Sequence, residues 1–567
     1  MIKQLEVDGV PTLLAPTTGP MHAGLVFRVG QADETLARKG VTHLVEHLAL
    51  HSIGVADYHY NGVTGVEHTY FHMQGTAAEI TGFLTDVCAA LQSLPMARLA
   101  TEKEILRTER SSRETGASTP LALWRHGARD FGLPAYPEWG LAGLTAEDLQ
   151  EWVARYFTRD NAALWIAGDE VPAGLRLGLP GGTRRAAPTP SCTLPVTPAW
   201  FGSSSGAVAW DAVVRRSTPA ALFTRVLERR MFRELRQEAG LSYSVNANYE
   251  PRVGDTAVIT AVADALPEKQ AAVLGGLVDL LAALRIGRVD ADEVATVAQQ
   301  ATEALRRGEE HGARLLGQVF NLLAGREIRD LDASLAEIDA VTLGDVTEVA
   351  AEAYDAGLLM APGGTSAGWA GYADAPAASD HAVEGHRYSA RHLPERHLVV
   401  GPDGVSALDG DEIATVRFDS CAAVLAWPDG GRRLIGNDAM TVAVEPALYR
   451  NGSAAVPEID ARIPAGCRVD LPVRAADEIP QPPHLPWRIR WQQQTAWWRT
   501  ARTAKVKLFL PSALITFGSG AIALTGIILT LFGKQPNGAI HLATILCIFT
   551  AIRYGKRLLA IVQALRN

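Results

Sequence analysis

Cysteine is scarce. The 567 residues contain five, Cys88, Cys192, Cys421, Cys467 and Cys547, widely separated and with no C-x-x-C pair. A disulfide-stapled scaffold and a cysteine-built zinc site are thereby excluded, and an odd count of scattered thiols fits a reducing compartment. Lysine supplies only 8 of the 53 basic residues and the formal net charge is -9. No stretch is basic enough to neutralise a run of phosphates, so nucleic acid is excluded as the main partner. The opening Met1-Ile2-Lys3-Gln4-Leu5-Glu6 lacks the apolar run of a signal peptide. What is present is an ordinary globular mixture, 47% hydrophobic and 20% charged, long enough for three or four domains at roughly 150 residues each.

Turn-rich stretches at 179–191 and 362–385 punctuate the chain. They predict domains at 1–178 and 195–361. Each mixes strand-like runs, such as Ala163–Ala167 and Thr256–Val262, with amphipathic helices, such as Thr218–Ala239 and Ala291–Arg307, and is α+β. No strong internal repeat is visible by eye, though two units of similar size and mix could still be related. Short strands and tight turns then predict a small all-β domain at 391–480, loosely similar in pattern to pleckstrin-homology-like modules. Leu508–Gly533 carries no charge and a second uncharged run spans Ala539–Ile552, which predicts a transmembrane hairpin at 505–560. Arg499, Arg502, Lys505 and Lys507 before it and Arg553, Lys556 and Arg557 after it outweigh Lys534 in the turn. Both ends are therefore expected in the cytoplasm of a multi-pass cell-membrane protein, with Trp487, Trp491, Trp497 and Trp498 at the interface.

The sharpest chemistry lies in Gly40-Val41-Thr42-His43-Leu44-Val45-Glu46-His47-Leu48. On a helix, His43, Glu46 and His47 share one face, so two imidazoles can hold one zinc beside a carboxylate, in the order H-x-x-E-H. His51, one turn on, is a rival ligand or a polar surface residue. A catalytic zinc needs a third protein ligand and an open fourth position. Glu102 and Glu109, seven apart with Leu106 between them, project from one helical face; one can ligate while the other orients a histidine or a water.

With these motifs the chain resembles the pitrilysin-type, or insulinase-like, zinc peptidases over about residues 1 to 360. The resemblance implies Zn2+ on His43, His47 and Glu109, Glu46 as general base, and Glu102 as a supporting carboxylate of the catalytic group. Asn61-Gly62-Val63-Thr64 resembles the family's strand segment lying along the substrate. Arg236 and Tyr243, seven apart around Gly240-Leu241, resemble its pair of donors to the substrate backbone or oxyanion. Without the family, that region reads as a helix ending at Gly240 and a strand beginning at Leu241. The implied function is a membrane-anchored zinc metalloendopeptidase that hydrolyses short unstructured peptides. Its chamber needs four such units, and hence a homodimer or a heterodimer with a related chain. The competing expectation is a membrane-tethered scaffold that keeps the peptidase fold for shape. Two departures stand out: Glu109 follows His47 by only 62 residues, and Gly62 replaces the usual alanine.

Overall fold

The computed structural model describes residues 2–482 except 52, 54–58, 113–115 and 117. The first half runs β1 Lys3–Val7, β2 Val10–Ala15, β3 Met21–Phe27, α1 Val41–Leu50, β4 Tyr60–Thr64, β5 Thr69–Gly75, α2 Ala77–Gln92, α3 Leu99–Ser112, α4 Ser118–His126, α5 Ala146–Tyr156 and β6 Ala162–Ala167. Its sheet has the order β1-β2-β6-β3-β5-β4. Ala162-Ala163-Leu164-Trp165-Ile166-Ala167 is apolar throughout because β6 is covered on both faces. Leu164 and Ile166 meet Leu44, Leu48 and Leu84 of the covering helices, whereas Ala163 and Trp165 turn to the opposite side.

The second half runs β7 Ala199–Ser203, β8 Ala207–Arg215, α6 Thr218–Met231, β9 Val245–Pro251, β10 Thr256–Asp264, α7 Gln270–Arg285, α8 Ala291–Glu310, α9 Leu315–Leu323, α10 Leu331–Asp339, α11 Leu343–Asp355, β11 Gly357–Pro362 and β12 Ala373–Asp374. The order β12-β7-β11-β8-β10-β9 repeats that of the first sheet, strand for strand, from β2 to β4. The pairings repeat too: β2 with β6 and β7 with β11 are parallel, and the rest of each series is antiparallel. Sequence alone offered only two units of similar size and mix; the shared strand order is visible only in the fold.

Contacts of several kinds tie the halves together. Arg125 of α4 donates from Nε to Asp211 Oδ1 of β8 at 2.9 Å, with both side chains buried. The Glu67 carboxylate accepts from Val253 N at 3.0 and 3.1 Å. His68 stacks on Phe320 of α9, ring centroids 4.2 Å apart, while Leu315, Val319 and Leu323 of that helix cover the β6 face bearing Trp165.

Burial holds His68 neutral down to a pKa of about 3 from the usual 6.5, and the charges of Arg28 and Arg216 push the same way. Between those two pH values the unfolded chain binds a proton that the folded chain refuses. Stability from this residue is therefore complete above 6.5 and is lost progressively as acid is added, until about pH 3. His68→Phe keeps the ring stack and removes the proton. Denaturant midpoints from pH 7 to 4 should fall less steeply in the variant than in the wild type; parallel slopes would contradict the burial of a neutral imidazole.

Residues beyond the second half form two further sheets. The strands His386–Ser389, Arg396–Val400, Gly404–Asp409 and Glu412–Arg417 make a meander. Thr441–Val444, Arg432–Gly436, Cys421–Ala426 and Arg468–Asp470 lie side by side in that order. Leu398, Val405, Val424, Leu434 and Val442 form their shared core. The second sheet also packs Ala423, Leu425, Ile435 and Val469 on Leu36, Ala37, Ala128 and Leu133 of the first half. At Gly127, φ is +74° and a Cβ would lie 2.0 Å from the Asn437 carbonyl oxygen, so only glycine permits this approach. Residues 1–481 are accordingly one compact unit.

The multi-pass membrane placement expected from the sequence is corrected: among the described residues no helix is long and apolar enough to cross a membrane. The apolar helix α7 has 16 residues and buries Leu277, Leu280, Leu281 and Leu284 within the second half, short of the roughly 20 that a span needs. The longer α8 is amphipathic, with Asp292, Glu293 and Arg307 along it. The hairpin at 505–560 and the tryptophans before it lie outside the described residues.

Candidate metal centre

Helix α1 begins at Gly40, where φ is +97°. The buried Glu34 carboxylate accepts from Gly40 N and Thr42 N, both at 2.9 Å, in place of a side-chain cap. Val41, Leu44, Val45 and Leu48 enter the core. That pins the helix so that His43, Glu46 and His47 face α3 and β4. On α3, Leu106 is buried and anchors the helix between Glu102 and Glu109.

His43 Nε2 lies 3.9 Å from Glu109 Oε2, and His47 Nε2 lies 3.5 Å from Glu109 Oε1. One ligand atom from each of the three residues falls within 4.8 Å of the others. The far side of each ring is backed by a carboxylate: His43 Nδ1 is 3.2 Å from Glu138 Oε1, and His47 Nδ1 is 3.5 Å from Glu102 Oε2. A proton drawn to Nδ1 leaves the Nε2 lone pairs turned toward Glu109, which is the tautomer a metal requires. Two nitrogens and one carboxylate are the donor set of many catalytic zinc sites. The site therefore fits the ion.

Glu102 also accepts from Arg98 at 3.1 Å and sits 3.7 Å from His51 Nδ1. His51 thus faces Glu102 and is not in the ligand group. Glu138 was missed by sequence reading: it lies 95 residues from His43, just before the short helical turn Trp139–Gly143, and no local spacing connects the two.

Glu46 is buried and accepts from Thr64 Oγ1 at 2.7 Å. Together with His43, His47, Asn61, Thr64 and Glu109 it borders a cavity of about 270 Å³. Asn61 and Thr64 belong to β4, the outermost strand of the sheet. The glycine at 62 has a physical reason, since a Cβ there would stand 2.5 Å from Glu46 Oε1 and 2.7 Å from its Cγ. Gly62→Ala should displace the carboxylate by a few tenths of an ångström or more and lower any turnover that depends on it by about 10- to 100-fold, with metal content unchanged. Wild-type turnover in that variant, measured alongside metal analysis, would show the carboxylate to be freer than its packing indicates.

Arg236 and Tyr243 are not part of this cavity. Helix α6 stops at Met231, and Arg236 lies in a wider π-helical turn, Phe232–Glu238. Its guanidinium rests over the Phe232 ring at 4.9 Å and the Tyr243 ring at 5.1 Å. The two residues border a separate cavity of about 500 Å³ with Ser242, Asp264 and Lys269. The strand expected from Leu241 begins instead at Val245: Asp264 Oδ1 accepts from Tyr243 N and Ser244 N, each at 2.8 Å, and draws that segment into a turn. Tyr243 is left 79% exposed.

No protein-family model matches the chain. No curated protein matches its sequence. Solved structures do share its fold. A protease from Helicobacter pylori is similar at 16% identity over 64% of this chain and 99% of its own, with a TM-score of 0.52. A putative M16-like peptidase from Alicyclobacillus acidocaldarius is similar at 16% identity over 64% and 98%, with a TM-score of 0.51. A peptidase M16 inactive domain from Pseudomonas fluorescens is similar at 15% identity over 65% and 98%, with a TM-score of 0.52. The paired α+β halves thus have the fold of M16 peptidase-like proteins, a fold carried by chains described as peptidases and by one described as inactive.

Proposed function

We propose that this chain is a zinc-dependent endopeptidase for short unstructured peptides. The observation that carries the reading is the convergence of His43, His47 and Glu109, with Glu138 and Glu102 behind the two rings. Zinc bound by these three residues would supply Lewis acidity, lowering the pKa of a water and polarising a carbonyl. Thr64 holds one oxygen of Glu46, which orients the carboxylate to accept the attacking water's proton and return it to the leaving amine. No strand pairs with the outer rim of β4 among the described residues. A peptide laid there can bond backbone to backbone, which selects for extended, unstructured chains over folded ones. Arg236 and Tyr243 are donors suited to a substrate carbonyl. If the chamber takes four such units, as the resemblance implies, a second copy or a related chain would complete it. The segments 1–178 and 195–361 are then the two working halves, and 391–480 is a buttress.

The test is direct. Purified full-length chain should retain at least one zinc through dialysis and cleave random-coil peptides; a chelator should abolish cleavage and added zinc restore it. A chain that holds no zinc at His43, His47 and Glu109, and cleaves nothing when zinc is supplied, is a scaffold built on the peptidase fold.

A further inference from the structure

Each half has a cavity between its edge strand and a helix that precedes that strand. In the first half this is the metal cavity between β4 and α1. The repeated strand order makes β9 the counterpart of β4 and α6 that of α1. There a cavity of about 490 Å³ is bordered by Tyr249 of β9 and by Thr218 and Ala221 of α6. Its walls carry the opposite chemistry. In place of imidazoles it gathers the guanidiniums of Arg216, Arg326 and Arg329, with Glu327 and Glu337 as its acids.

The arginines come from two loops and are held where they meet. Arg216, between β8 and α6, donates from Nη1 to Arg252 O at 2.9 Å and from Nη2 to Asn321 Oδ1 of α9. Both acceptors are neutral. The charge of Glu67 also reaches Arg216, but that carboxylate already accepts from Val253 N. Arg326 donates from Nη2 to Gly254 O and to Asp255 Oδ1, each at 2.6 Å. Its Nε is buried without a hydrogen-bond partner among the described residues. Arg329 pairs with Glu337, and with Glu327 at 3.6 Å. The side chains of Asp255 and Glu327 are 96% and 78% exposed, where an ion pair offsets little charge. Burial lowers the pKa of Arg216, and the charges of Arg326 and Arg329 push the same way, as crowded like charges do.

We propose that Arg216, Arg326 and Arg329 bind a phosphate group in this cavity. Each guanidinium carries five N–H donors in a planar fork, and the contacts above leave donors over on Arg216 and Arg326. Such forks suit both carboxylate and phosphate. A carboxylate has one charge and two oxygens; a phosphate has close to two charges and at least three acceptor oxygens, enough for each arginine to hold its own. The site is braced before any ligand arrives, since the Tyr249 hydroxyl accepts from Ser217 N at 3.1 Å and fastens β9 to the start of α6. Asn321 follows Phe320, whose ring stacks on His68, so an occupied site would also stiffen the joint between the halves.

The test titrates full-length chain with inorganic phosphate in a buffer free of other oxyanions. One saturable equivalent is expected, with a melting temperature raised above that in sodium chloride of equal ionic strength. Arg326→Gln, a change at a partly exposed side chain, should weaken phosphate by about 10-fold or more. Arg216→Gln should do the same, its phosphate-free melting temperature showing that the fold is kept. His43→Ala should bind phosphate as the wild type does, since the metal centre is not the site. Glycerol 3-phosphate distinguishes the source: tighter binding than inorganic phosphate assigns the group to an organic phosphate, equal binding to the free ion. No binding beyond the salt control, undiminished binding in Arg326→Gln, loss of binding in His43→Ala, or acetate binding as tightly as phosphate would each overturn the proposal.

Discussion

Glu46→Gln should leave zinc in place and remove about 10²- to 10⁴-fold of peptide turnover, the range a general base contributes. The amide is isosteric, and its oxygen can still accept the 2.7 Å hydrogen bond from Thr64. It cannot take a proton from water. Glu46 is 6% exposed, so the neutral replacement also avoids burying a charge, and the variant should be as stable as the wild type or more so. Because Glu46 is not among the residues whose ligand atoms converge, metal content should not change. The informative measurement is kcat/KM and zinc content on one preparation. Turnover near wild type would deny Glu46 the role of base, whereas joint loss of zinc and turnover would make it a ligand.

Glu109→Ala should weaken zinc by more than about 100-fold, beyond the 10- to 100-fold typical of losing an outer partner, and abolish cleavage with it. The two histidines that remain fall one short of the three protein ligands of a catalytic zinc site. The Glu109 side chain is 38% exposed, so its removal should leave the unfolding midpoint of the metal-free chain unchanged. Equilibrium dialysis against buffered zinc, paired with that midpoint, checks both statements. Undiminished affinity would move the third ligand elsewhere, and His51, already facing Glu102, would be the first residue to replace.

How much of this was legible beforehand follows from how far each signal reaches along the chain. His43, Glu46 and His47 declare themselves because helical spacing puts them on one face, and Glu102 and Glu109 because two turns separate them. Glu138 carries no such mark: its only connection to His43 is through space. The duplicated strand order was hidden for the same reason, since topology survives where side-chain pattern does not. Local composition misplaced the strand start at Leu241 because the deciding partner, Asp264, lies on the neighbouring strand. That the β sheets rest on the first half could not be read at all, since Leu425 and Leu36 are nearly four hundred residues apart.

A strand rim left open for one chain is open to any other, including a second molecule of the same protein pairing edge to edge. β4 is only five residues long, Tyr60-Asn61-Gly62-Val63-Thr64, and two of the five, asparagine and glycine, are poor strand formers. The weakness is protective: such a rim gains little by pairing with a copy of itself. Replacing Asn61 and Gly62 with valine or isoleucine would improve β-propensity and, by the same step, turn the edge of the sheet into a template for aggregation. Solubility and site chemistry therefore press on the same two positions, and a stabilising design that ignored the first would spoil the second.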